Sequence, residues 1–160
     1  MIKVGITGHR GLPPETVRSV DDAIRAQLAI LPVKDPLVGV TCLADGADQI
    51  FAQAVVDHGG TLEVIVPAAT YRAGLPRECW RSYDALLAQA QAVHRLPHQE
   101  SNETAHMDAS RRMLRIVQRL FAVWDGQPAR GYGGTADVVA LARAQQIPVV
   151  VVWPDGAFRD

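Results

Sequence analysis

Apolar runs without a polar face alternate with helix-period segments along the whole chain. Leu62–Val66, Leu120–Trp124 and Val149–Val152 read as strands apolar on both faces. A parallel sheet covered by helices on both sides is what such strands require. Ile2–Thr7 and Leu37–Cys42 are further strands, Val93–Leu96 is a short one closed by Pro97, and the last strand extends over Pro148–Trp153. The spacing predicts helices over Pro14–Leu31, Ala47–His58, Pro76–Ala92, Asn102–Arg119 and Gly134–Gln146. Pro14 suits a first helical turn, where a missing N–H costs nothing. Gly59-Gly60 supplies the C-terminal stop of the second helix, and Trp80, Tyr83, Leu87 and Ala90 fall on one face of the third. The alternation predicts an α/β, Rossmann-like doubly wound, mainly parallel sheet with helices on both faces. With 160 residues, a single domain over positions 1–160 is expected.

Composition narrows the function classes. Apolar residues make up 48% and charged ones 21%, the balance of an ordinary globular protein. A net charge of −1 gives no global basic field, so nucleic acid is not the expected partner. No apolar run approaches the ~20 residues of a membrane span, and the N-terminus has no signal-peptide pattern. A cytoplasmic protein is expected. Cys42 and Cys79 belong to no CxxC pair and read as reduced, buried thiols. His94 and His98 are separated by Pro97 and joined by no cysteine, so no metal site is expected. No GxSxG elbow starts a serine triad, and no resident cofactor is expected.

In doubly wound folds, ligands sit beyond the carboxyl ends of the strands. Here those loops are Thr7–Pro13, Thr41–Asp48, Pro67–Pro76 and Asp125–Gly134, and the unusual residues cluster in them. The richest segment is Arg130-Gly131-Tyr132-Gly133-Gly134-Thr135-Ala136-Asp137, between a strand and a helix. Glycine admits a ligand without a Cβ in the way. The helix N-terminus adds unpaired N–H groups and a partial positive charge, which suits phosphate. Gly133, Gly134 and Thr135 are therefore candidate anion contacts, with Arg130 beside them.

Other segments supply further candidates. Thr7-Gly8-His9-Arg10 ends the first strand and presents a histidine and a guanidinium; arginine's planar fork fits phosphate oxygens. Asp45-Gly46 is turn chemistry, and Asp45 is read as a structural cap. Asp48 lies in a first helical turn, where a carboxylate offsets the dipole; recognition of ribose hydroxyls is the alternative. Gly46 is a candidate for close ligand approach. Arg111, Arg115 and Arg119 recur every four residues as a stripe. Arg111 or Arg112 is placed to clamp a phosphate.

Taken in order, Thr7-Gly8-His9-Arg10, Leu43-Ala44-Asp45-Gly46-Ala47-Asp48, Ala122-Val123-Trp124-Asp125-Gly126 and Gly133-Gly134-Thr135-Ala136-Asp137 resemble the SLOG superfamily, named for its DprA and Lonely-Guy members. The resemblance covers nearly the whole chain and is closest to small stand-alone bacterial members related to the ligand-sensing domain of TRPM channels. It implies a Rossmann-like fold that binds a nucleotide or nucleotide-derived ligand, often as a homodimer or higher homo-oligomer. Lonely-Guy proteins cleave the N-glycosidic bond of nucleoside monophosphates, with a motif resembling PGGxGTxxE. Here the glutamate position is Val138, which cannot stabilise an oxocarbenium-like transition state or activate water. Asp137 is the substitute candidate for catalysis, with Arg111 positioning the substrate. Two functions follow as expectations: a nucleotide-binding sensor or module without chemistry, or a nucleoside 5′-monophosphate phosphoribohydrolase. A DprA-like single-strand DNA binder using the arginine stripe is a third.

Overall fold

The computed structural model describes residues 1–32 and 36–160. Strands β1 (Ile2–Gly8), β2 (Leu37–Thr41), β3 (Thr61–Val66), β4 (Ala90–Arg95), β5 (Arg119–Val123) and β6 (Val149–Val151) form one sheet. Between them run helices α1 (Pro14–Ala29), α2 (Ala47–Asp57), α3 (Trp80–Ala88), α4 (Glu103–Leu114) and α5 (Thr135–Ala144). The order is β4-β3-β2-β1-β5-β6 and every pairing is parallel. The strands run outward from β1 to β4, then the chain crosses back and lays β5 against the other side of β1. Strand order thus reverses between β1 and β5, and ligands bind at such a point.

Helices α1, α2 and α3 cover one face, where Val20, Ile24, Phe51 and Tyr83 pack with Val4, Leu62 and Phe121. Helices α4 and α5 cover the other, where Met107, Met113, Val138 and Ala142 meet Val40, Ile65 and Leu120. Successive strand residues point to opposite faces, so Leu120 and Phe121 enter different clusters. Each such side chain taken fully out of water contributes about 1.5–3 kcal/mol. Glu63 is the polar exception in β3; Lys3 Nζ, on the same sheet face, meets its carboxylate at 3.2 Å. Among the described residues no helix is long and apolar enough to cross a membrane.

Three predicted elements differ: the last strand covers only Val149–Val151 and, at the sheet edge, leaves Val151 exposed, and two helices are shorter than expected. The helix expected over Pro76–Ala92 contributes only α3, after short 3-10 turns, and Ala90 begins β4 rather than extending an apolar helix face. Ala90, Ala92 and His94 pair with Leu62, Glu63 and Ile65, so tertiary pairing overrides the helical preference of an Ala/Gln-rich run. The helix expected over Asn102–Arg119 stops at Leu114, with Arg115 as its C-cap and Arg119 opening β5. Gln118 N donates to Lys3 O at 2.9 Å, which draws the chain into the sheet. The arginine stripe over Arg111, Arg115 and Arg119 is consequently broken.

Candidate functional site

All four loops expected at the strand ends line one cavity of about 270 Å³ at the β1/β5 switch point. From β1 come Thr7, Gly8, His9 and Arg10; from the β2–α2 loop Cys42, Ala44 and Asp48; after β3 Pro67 and Tyr71; after β5 Gln127 to Ala136. His106, Ser110 and Met113 of α4 and Arg159 complete the wall.

Close backbone packing sets the loops. A Cβ on Gly8 would lie 2.4 Å from Ala47 Cβ and 2.8 Å from Val123 Cβ, so glycine lets α2 and β5 close on the end of β1. Gly46 has φ +82° and its Cβ would lie 2.6 Å from His9 O. The close approach at Gly46 is thus made by the chain's own β1 loop, and Gly46 is outside the cavity lining. Ala47 N donates to His9 O at 3.2 Å, tying the two loops together.

At the N-terminus of α5, Gly133 N donates to Asp137 Oδ2 at 2.9 Å and Gly134 N to Gly131 O at 3.1 Å. The next amides, Thr135 and Ala136, have no hydrogen-bond partner among the described residues and border the cavity. The donors available to an anion are therefore shifted one residue from the expected Gly133–Thr135 set. Orphan N–H groups with the positive end of the helix dipole make an anion site.

His9 is buried beneath Thr135 rather than presented at the surface. Its Nε2 faces Asp125, 3.0 Å from the backbone N–H and 3.2 Å from Oδ1, and its other ring nitrogen is Nδ1. That nitrogen lies 3.4 Å from Thr135 Oγ1. The Thr135 hydroxyl thus sits between the His9 ring and the cavity that it lines. Burial, and then the Arg159 charge, hold His9 below the ordinary imidazole value against the pull of Asp125. Its ring also meets Trp153 edge-on at 5.5 Å.

Cations ring the cleft. Arg10 is held by Asp45, which accepts Arg10 Nε at 2.7 Å and Gly11 N at 3.1 Å. Asp45, read from sequence as a cap, thus orients a guanidinium, and turn chemistry alone gave no sign of it. Arg130 pairs with Asp160 at 2.8 Å. Arg159 reaches the cavity because the chain end folds back, Thr16 Oγ1 donating to Phe158 O at 2.6 Å.

Within reach of the Arg10 charge, several buried lining groups are pushed toward their neutral forms. Burial pushes the Cys42 thiol and the Tyr71 phenol up. Burial, then the Arg10 charge, lowers His106. Burial also pushes Asp48 up to about 7, against the amide of Ala44, which donates to its Oδ2 at 3.2 Å. Tyr71, His106, Cys42, Ser110 and Arg159 were not singled out from sequence as contacts. Tyr71 and Cys42 had a usable signal, their places in the Pro67–Pro76 and Thr41–Asp48 loops.

No protein-family model and no curated protein sequence matches the chain. Solved structures do. DNA processing protein A (DprA) from Streptococcus pneumoniae superposes with TM-score 0.68 and 17% identity, over 94% of this chain and 50% of that one. DprA from Helicobacter pylori, described for its single-stranded DNA binding mode, gives 0.70 and 17%, over 99% and 68%. The molybdenum cofactor carrier protein of Chlamydomonas reinhardtii gives 0.54 and 14%, over 94% and 75%. The chain has the DprA fold. The SLOG resemblance holds at this level, and the chain spans half the length of the Streptococcus DprA.

Of the candidate residues, this DprA-like scaffold brings Thr7, Gly8, His9, Arg10, Asp48, Arg130, Gly133, Gly134 and Thr135 to one cavity. Gly46, Arg111, Arg112 and Asp137 lie outside its lining. Arg111 instead bonds Tyr132 Oη at 3.0 Å and Asp108 Oδ1 at 3.2 Å. The Asp137 carboxylate turns back onto Gly133 N–H as a helix cap. Val138, at the Lonely-Guy glutamate position, is 1% exposed and belongs to the core.

Proposed function

We propose that the chain is a single nucleotide-binding domain that holds a nucleotide or nucleotide-derived ligand without cleaving it. The phosphate rests on the free Thr135 and Ala136 amides, aided by the Thr135 hydroxyl, with Arg10, Arg130 and Arg159 around it. The observation that carries this reading is the convergence of unpaired amides and guanidinium groups on one cavity at the switch point. A binding role is favoured over hydrolysis because the cavity-facing turn of α5 offers no free carboxylate: Asp137 is spent as a cap and Val138 is buried. Calorimetry with AMP, ADP, ADP-ribose and NAD tests the proposal. Affinity for at least one, lost in an Arg130→Ala/Thr135→Val double variant, supports it; no affinity for any contradicts it. Release of free base from AMP would move the protein to the phosphoribohydrolase reading.

Single-stranded DNA is a second reading, because the Helicobacter structure is described for that activity. The expectation against nucleic acid gains no support from that neighbour. A gel shift whose midpoint falls steeply with salt would establish it. The edge strands β4 and β6 each leave one side unpaired, and a homodimer in a cytoplasmic setting is retained as part of the proposal.

A further inference from the structure

The free amides and guanidinium groups explain a phosphate, but leave two buried polar lining groups, Asp48 and Tyr71, without a task. Asp48 is 8% exposed and Tyr71 4%, and both line the cavity. Asp48 Oδ2 accepts from Ala44 N at 3.2 Å. The Cys42 amide also faces this carboxyl group, which with or without its proton has acceptor sites beyond those two amides, so capacity remains toward the cleft. Its neighbour Arg10 places Nε on Asp45 at 2.7 Å, not on Asp48. Helix capping does not account for the burial, since Asp137 caps α5 from a half-buried position.

The Tyr71 hydroxyl has no hydrogen-bond partner among the described residues, and buried tyrosines usually find one. The ring is nonetheless fixed. His106 packs edge-on against it at 5.8 Å, and His106 Nε2 is itself 2.8 Å from Ser101 Oγ. Ile6, Pro67 and Met113 supply apolar walls. An oriented acceptor and an oriented phenol flanked by apolar surface are equipped to read polar edges of a flat or ring-shaped group.

Building on the nucleotide-binding reading, we infer that Asp48 and Tyr71 form a specificity subsite that recognises neighbouring hydrogen-bond donors on the uncharged part of the ligand. A ribose diol and an amino-bearing base edge share this chemistry. Asp48 accepts from the donors, and the Tyr71 hydroxyl completes the pattern.

The experiment is calorimetry of wild type, Asp48→Asn and Tyr71→Phe with AMP, 2′,3′-dideoxy-AMP, inosine monophosphate, ribose 5-phosphate and pyrophosphate. AMP should bind Asp48→Asn about tenfold to a hundredfold more weakly, and Tyr71→Phe about threefold to tenfold more weakly. Pyrophosphate should bind all forms alike. If the diol is the donor pair, wild type discriminates against dideoxy-AMP and Asp48→Asn loses that discrimination. If the base edge is, the same pattern appears with inosine monophosphate, and ribose 5-phosphate binds both forms equally. Unchanged AMP affinity in both variants overturns the subsite and leaves the phosphate site standing. Failure of wild type to bind AMP and pyrophosphate alike removes the underlying reading as well. Should Asp48→Asn not fold, Tyr71→Phe decides alone, since it deletes one exposed-to-cavity oxygen and keeps the packed ring.

Discussion

Replacing Asp48 by asparagine should change how stability depends on pH, by an amount the structure sets. The carboxyl sits at about 7 in the folded protein against a reference of 3.8. The native state therefore keeps a proton that the unfolded chain gives up between those values. Folding takes up that proton, so this group's contribution to stability falls as pH rises through the window and is flat above it. Between pH 5 and pH 7 the window covers roughly 2 pKa units, or on the order of 3 kcal/mol at about 1.4 kcal/mol per unit. Asparagine has no such titration. Its altered bond to the Ala44 amide is a pH-independent offset, and the other titrating groups, shared by both proteins, cancel in the difference. Urea denaturation of wild type and Asp48→Asn at pH 5 and pH 8 isolates the effect. The variant should gain a few kcal/mol relative to wild type at the higher pH. A difference constant within about 0.5 kcal/mol between the two pH values would show that Asp48 is solvated and ionised, against its buried position.

Other outcomes follow from the same geometry. Gly8→Ala should cost about 1–3 kcal/mol in urea denaturation, because its Cβ would fall 2.4 Å from Ala47 Cβ; a neutral result would mean α2 does not close on β1. Asp137→Ala should lower stability by about 1 kcal/mol through loss of the cap on Gly133 N–H while nucleotide affinity stays unchanged; a loss of affinity out of proportion to stability would reinstate Asp137 in the site. Asp45→Asn should weaken nucleotide binding several-fold by releasing Arg10, and Arg111→Ala and Arg112→Ala should not, as titration calorimetry will show. Gly134→Asp should disrupt the loop itself and lower the melting temperature, because a Cβ there would meet Ala129 Cβ at 2.9 Å.

The sheet and its covering helices were legible because a strand buried on both faces leaves an apolar run, as in Leu120–Val123 and Leu62–Val66. The position of the cleft followed from parallel topology, and all four expected loops do line it. Edge structure was harder to read. Ala90-Gln91-Ala92 has helical composition, and only pairing with β3 makes it a strand. The arginine spacing imitated a helical stripe because the end of α4 at Leu114 depends on Gln118 reaching Lys3, a contact distant in sequence. Roles within the site depended on which partner each carboxylate found. Spacing placed Asp45, Asp48 and Asp137 in the right turns, yet their partners (Arg10, Ala44 and Gly133) are set by how the loops pack. Arg159 joined the cleft through the fold-back at Phe158, which no local pattern announces.

The most direct measurement is a crystal structure with AMP bound. Phosphate oxygens should lie about 2.7–3.2 Å from the amide nitrogens of Thr135 and Ala136, with the nucleoside directed toward Asp48. A phosphate held elsewhere, with those two amides left to solvent, would contradict the account.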